Sequence, residues 1–187
     1  MLNFQNKYLF IEIPRTGTTT IRDSFVGMYE EFNDPRHITL SGYLKIFPSF
    51  EELATFTFVR NTFDRFASLY EHTKHFNATA KECQSFENFV DWFIFPNNIK
   101  LTNDDIRITM CDMLQVNNEI NIDWVGKFEN YPKYFKDFCS FMHLPHTKSL
   151  HSNKFKHTPY KQYYNADTKQ KIASYFEKDL DYFKYTF

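Results

Sequence analysis

An α/β fold is predicted, with three layers in the order αβα and a parallel sheet at the centre. Two observations carry this. Three short runs rich in β-forming residues, 7–13 (KYLFIEI), 54–59 (ATFTFV) and 122–128 (IDWVGKF), lie far apart in the chain. Between and after them come stretches whose apolar residues recur at helical spacing. Strands that alternate with helices pair in parallel and are covered on both faces. A length of 187 residues, with no internal repeat and no linker composition, fits a single domain over 1–187 with a substantial core.

Taken in order, the first run ends at Pro14, which has no N–H to give a ladder. Ile21, Phe25 and Met28 then fall at helical spacing, and 30–35 is polar and turn-like. His37 follows in RHITL, ahead of a short helix and a loop. The second run closes at Arg60, and a helix begins at once, with Asn61 or Thr62 as its cap and Asp64 in its first turn. Phe63, Phe66, Ala67 and Tyr70 are its apolar face. Residues 85–95 read as an amphipathic helix through Phe86, Phe89, Val90 and Phe93, broken by Pro96-Asn97-Asn98. A short helix is expected over 104–114. A longer one is expected over 130–142, with Tyr131, Tyr134, Phe135, Phe138 and Phe141 at helical spacing. Residues 144–164 read as a loop. A final helix starts at Asp167 as its cap and carries Ile172, Ala173, Phe176, Leu180 and Phe183 on one face.

Composition narrows the function classes. A formal net charge of -1 gives no global pull toward nucleic acid or an anionic membrane. Cys83, Cys111 and Cys139 are an odd number without motif spacing, which fits a reducing compartment rather than a disulfide scaffold. No stretch approaches the roughly 20 apolar residues of a membrane span, and the first apolar run is too short for a signal peptide. A soluble cytoplasmic protein is expected. The 23 Phe and 12 Tyr are read mainly as core filler. The pairs His72/His75 and His143/His146 lack a third ligand at a recognised spacing, so no metal site is expected.

Chemistry concentrates after the first strand. Arg15-Thr16-Gly17-Thr18-Thr19-Thr20 places one cation, one glycine and four hydroxyls where a helix is due to start. A helix N-terminus offers unpaired N–H groups and partial positive charge, glycine lets the backbone come close, and arginine adds a forked cation. The turn is therefore expected to hold a phosphate or sulfate group. It is not a Walker A loop, because the second glycine and the lysine are missing. A threonine-capped turn with a surface arginine is the plainer reading of the same residues. Arg60 also follows a predicted strand, and Ser68 lies in the second turn of the next helix, on the face of Asp64 and His72. In parallel sheets ligands sit beyond the carboxyl ends of the strands. Two anion seats on one rim point to a ligand with two phosphate-like ends.

These residues resemble the PAPS-dependent sulfotransferases, in particular the carbohydrate branch that includes the heparan sulfate 2-O-sulfotransferases. IPRTGTTTI is similar to that family's 5′-phosphosulfate loop, FVRNTFDRFASLY to its 3′-phosphate motif, VGKFENY to a later segment, and the closing stretch to the usual end of these enzymes. The family's loop lysine is Arg15 here, its second loop glycine is Thr18, and the usual proline after Arg-Asn is Thr62, which can cap the helix. The resemblance implies a P-loop NTPase-like sulfotransferase fold, with PAPS as donor and a carbohydrate or other hydroxyl-bearing acceptor. It assigns the 5′-phosphosulfate to Arg15, Thr16, Gly17, Thr18, Thr19 and Thr20, and the 3′-phosphate to Arg60 and Ser68. It further suggests Lys154, with Lys156 beside it, from a late basic segment. His37 becomes the expected general base, Glu12 the reserve and His72 a weaker one, with Arg15 neutralising charge on the leaving phosphate. A chain this short leaves room for a second subunit, as a homodimer, to complete the acceptor side. An ATP-dependent kinase and a non-catalytic glycan-binding protein are the rival readings.

Overall fold

A computed structural model describes residues 2–4, 7–31, 37–76, 83–95, 107–144 and 158–187. The chain divides into two compact units, Met1–Arg60 with Asn103–Lys154, and Asn61–Thr102 with Phe155–Phe187.

The first unit contains, in chain order, β1 (Leu2–Phe4), β2 (Tyr8–Ile11), α1 (Thr18–Ser24), β3 (Glu30–Glu31), α2 (Leu40–Ile46) and β4 (Ala54–Val59). After residue 103 come α5 (Met110–Leu114), β5 (Gln115–Val116), β6 (Glu119–Ile120), β7 (Trp124–Lys127) and α6 (Tyr131–Phe141). The main sheet runs β3-β1-β2-β4-β7, and β5 pairs with β6 as a separate small ribbon. The expected parallel sheet is its centre: β2 pairs with β4 and β4 with β7 in parallel. The antiparallel addition of β1 to β2 was not foreseen. Those few N-terminal residues carry too short a pattern to signal a strand.

Alternation along the central strands sorts their side chains. Phe10, Phe56 and Phe58 join Ile21 of α1, Phe25 just beyond it, and Phe135 and Phe138 of α6 in one aromatic core. Phe10 stacks on Phe56 with ring centroids 4.9 Å apart, and Phe56 meets Phe138 at 4.5 Å. Each such ring contributes roughly 1.5–3 kcal/mol through its burial. On the alternate positions Leu9, Ile11, Thr57 and Val59 are fully buried as well. Burial on both faces explains why these strands read as continuous runs. The hydroxyl of Thr57 is tolerated there because it donates to the Ile11 carbonyl at 2.8 Å. Helix α1 stops sooner than its spacing suggested. Phe25 closes it, Gly27 turns the chain at φ 81°, and Met28 lies on that turn, 37% exposed.

The second unit is helical: α3 (Thr62–Phe76), α4 (Phe86–Ile94), α7 (Ala166–Tyr175) and α8 (Glu177–Phe183). Phe66 of α3 is its hub, within 5.7 Å of Phe86, Phe89 and Phe93. Arg65 faces Asp179 at 4.0 Å, both buried. Two expectations are corrected here. The closing helix is two helices that meet at Phe176, and its cap is Asn165, which forms a reciprocal capping box with Thr168, rather than Asp167. Of the loop expected over 144–164, residues 145–157 lie outside the described residues, and Tyr160–Gln162 forms a 3-10 turn.

Candidate active site

Register decides what meets at the sheet's rim. Ile11 pairs with Thr57, and Val59 with Lys127. The chain therefore leaves β2, β4 and β7 through residues 12–17, Arg60 and Phe128 at one edge. Arg60 is only 5% exposed, and its Nη1 donates to the Arg15 carbonyl at 3.2 Å. Its guanidinium carbon lies 4.5 Å from the centre of the Phe128 ring. Arg15 itself has φ 68°, a left-handed conformation that costs a residue with a Cβ and is more common at functional sites than elsewhere. Gly17 follows at φ 88°. A Cβ there would come within 3.1 Å of Phe128 and 3.2 Å of Tyr131, so only glycine fits this bend.

Gly17, not a threonine, is the N-cap of α1. No side chain caps this helix, whereas the Gly17 carbonyl accepts from the N–H groups of Thr20 and Ile21. The threonine cap of the plainer reading is therefore not formed: Thr16 is buried and turns inward, its hydroxyl donating to the Ile13 carbonyl at 2.8 Å. Thr18 and Thr20 are buried in the first turn of α1, and Thr19 is half-buried.

The rim is strongly cationic. Burial, and then the neighbouring charge of Arg60, push the Arg15 guanidinium down from its ordinary value to about 10. It remains charged at neutral pH. Two cations that sense each other across a half-buried rim raise each other's electrostatic cost, and an anion beside them relieves it.

His37 reaches the same loop from the other direction. Its Nδ1 lies 2.8 Å from the Glu12 carbonyl. A carbonyl only accepts, so Nδ1 carries the proton, and the neutral ring keeps its lone pair on Nε2. Thr39, two residues on, caps α2 by accepting the Gly42 N–H at 3.0 Å, which anchors the histidine segment. The reserve base is differently employed. Glu12 is fully buried and paired twice with Arg22, Nε to Oε1 at 2.7 Å and Nη2 to Oε2 at 2.6 Å. Burial alone would raise its carboxyl, but the bonds and charge of Arg22 more than offset this and hold it below the usual range.

Arg15, Thr16, Gly17, Arg60 and His37 thus belong to the first unit, around one loop. Ser68 is in the second unit, buried on α3, and so is the half-buried His72. Lys154 and Lys156 lie outside the described residues. Thr62 was expected to be able to cap α3. Asn61 does so instead, its Oδ1 accepting from Phe63 and Asp64, and the Thr62 hydroxyl is buried without a hydrogen-bond partner. Phe128 and Arg22 were missed as neighbours of the site. Strand register could have flagged Phe128, since it leaves its strand level with Arg60. No cluster of metal-binding side chains occurs among the described residues.

A sequence model described as Sulfotransferase family matches residues 1–186 of the chain. The chain belongs to the sulfotransferase family. No curated protein and no solved structure matches it. The mixed α/β architecture of this sulfotransferase, a mostly parallel sheet flanked by helices, agrees with the fold that the resemblance implied. Family membership also favours sulfuryl transfer over the kinase reading. No described helix of the sulfotransferase is long and apolar enough to cross a membrane.

Proposed function

We propose that this sulfotransferase takes its sulfuryl group from PAPS and passes it to a hydroxyl of a carbohydrate acceptor. The observation that carries the reading is the pairing of Arg15 with Arg60 at one rim, where Arg60 donates to the Arg15 backbone at 3.2 Å. The residues suit the donor. Gly17 leaves no Cβ in the bend, and two guanidinium groups suit a doubly anionic molecule. When bound, PAPS supplies an activated sulfuryl group and departs as PAP. Arg15, with Thr16, Gly17 and Thr18 to Thr20, holds the 5′ end and neutralises charge on the leaving phosphate oxygen. Arg60 holds the 3′-phosphate, the family motif assigns Ser68 to the same end, and the resemblance of the late basic segment suggests Lys154 for the 3′-phosphate or the ribose. His37 takes the acceptor's hydroxyl proton on Nε2. The tautomer set by the Glu12 carbonyl supports this, and the bidentate pairing of Glu12 with Arg22 argues against Glu12 as the base. The family match over 1–186 supports one sulfotransferase domain built from both units. A cytoplasmic enzyme completed by homodimerisation is the matching cellular reading.

His37→Ala tests the assignment. Turnover with radiolabelled PAPS is expected to fall by at least ~100-fold, while PAP affinity by calorimetry stays within about twofold. Near-normal turnover removes His37 from the role. PAP binding without transfer to any of a broad acceptor panel, by the unaltered protein, favours the non-catalytic glycan-binding reading.

A further inference from the structure

We infer that Asn61 is a positioning residue for the donor site, clasping the first turn of α3 to Thr186 and Phe187. The inference rests on the PAPS reading, which assigns Arg60 and Ser68 to the 3′-phosphate. It extends that reading to a segment 125 residues further along the chain. Arg60 directly precedes Asn61 and Ser68 follows on the same helix, so the backbone joins both to the clasp. Asn61, α3 and residues 155–187 all belong to the second unit.

The chemistry explains why an amide stands at 61. Its Oδ1 accepts from the N–H groups of Phe63 at 3.0 Å and Asp64 at 3.4 Å, donors that a helix start leaves without intrahelical partners. That fixes the amide's orientation, and its Nδ2 donates to the Thr186 carbonyl at 2.8 Å. Aspartate and serine cap a helix as well as asparagine does. Neither can accept with one atom of the group while another donates across a gap of this length. Aspartate would also place negative charge directly after Arg60, where it opposes an anion. Rings complete the clasp. The Phe187 ring meets that of Phe63 edge-on with centroids 5.0 Å apart, and that of Tyr164 at 5.5 Å. The Tyr164 hydroxyl donates to the Phe63 carbonyl at 2.9 Å, on the same first turn. Lys169 stands with its Nζ 4.3 Å from the centre of the Phe187 ring, within cation–π range. The segment is anchored behind the ring as well, where the Tyr185 N–H donates to the Leu180 carbonyl at 3.0 Å.

The test uses the full chain with Asn61→Ser, which keeps an oxygen for the cap and removes the amide's N–H groups, with Phe187→Ala, and with both. Phe187→Tyr keeps the ring. PAP and AMP are titrated by calorimetry, since only PAP carries the 3′-phosphate. Asn61→Ser and Phe187→Ala are each expected to weaken PAP about fivefold and AMP by less than about twofold. Both act through one clasp, so the double variant should lose about fivefold in PAP affinity rather than ~25-fold. Phe187→Tyr should bind both ligands like the unaltered protein. A merely structural role would lower Tm and leave the ratio of PAP to AMP affinity unchanged. An unchanged ratio in either single variant, or losses that multiply in the double variant, overturns the inference. If the unaltered protein does not bind PAP, the PAPS reading fails, and hydrogen exchange then judges the clasp by itself. The Phe63 and Asp64 amides should exchange at least about threefold faster in Phe187→Ala, and unchanged rates refute it.

Discussion

Gly17→Ala should damage stability and donor binding together, and both effects can be sized. Gly17 has φ 88°, and an L-residue in the left-handed region costs roughly 1–2 kcal/mol. The new methyl would stand 3.1 Å from two ring carbons of Phe128 and 3.2 Å from one of Tyr131. Both rings must give way by a few tenths of an ångström, adding about 1 kcal/mol of overpacking. The total is roughly 2–3 kcal/mol, or about 4–12 °C in Tm for a chain of this size. Displacing Phe128 also moves the seat of Arg60, so PAP should bind at least about tenfold more weakly. Gly126→Ala is the comparison: its Cβ would stand 2.6 Å from the core ring of Phe58, which meets the loop through Tyr131 rather than directly. It should lower Tm at least as much and weaken PAP less than Gly17→Ala does. Thermal melts by circular dichroism and calorimetric titrations of the two variants separate the effects. A Gly17→Ala protein that melts within about 1 °C of the unaltered one and binds PAP equally well would refute the reasoning.

Two further outcomes concern the framework. Thr62→Val removes a hydroxyl that is 1% exposed and has no hydrogen-bond partner, so it should raise unfolding stability by ~1 kcal/mol, read as a higher urea midpoint at unchanged slope. Glu12→Gln breaks a fully buried ion pair with Arg22 and should cost about 3 kcal/mol. It should also change the acid limb of the stability curve. The folded Glu12 carboxyl is held below the usual carboxylate range, so its contribution is complete above that range and is lost as pH falls through the folded value. Urea midpoints measured from neutral to acidic pH should therefore fall less steeply for the variant.

Signals that depend on neighbours in sequence were legible. The 54–59 run matches β4, and the helices around Phe66, Phe89 and Phe138 follow their spacing, because periodic burial is written into each segment. The loop of Arg15 and Gly17 was legible for the same reason: strand, bend and helix follow one another within a dozen residues. Competition among equivalent local donors was not legible. Asn61 and Thr62 are both good caps by residue type, and Thr16 and Thr18 are both good hydroxyls. Choosing among them needs the backbone geometry, which gave Asn61 the cap and turned Thr16 toward Ile13. The break at Phe176 had no glycine or proline to announce it.

The partners of the catalytic candidates belong to a third kind, set by register and fold rather than by spacing. Glu12 looked like a candidate base because it stands just before the loop of Arg15 and Gly17. Its real neighbour is Arg22, 10 residues on, after the chain has turned back through α1. That pairing binds the end of β2 to α1 across the loop of Arg15 and Gly17. The carbonyl of the same residue meets His37, a further 15 residues along. One residue thus ties loop, helix and histidine together, its side chain inward and its backbone toward the candidate base. If Glu12→Gln loosens that tie, turnover should fall further than PAP affinity, since His37 depends on it and the guanidinium pair does not. The opposite split would mean that the ion pair serves the loop of Arg15 and Gly17 alone.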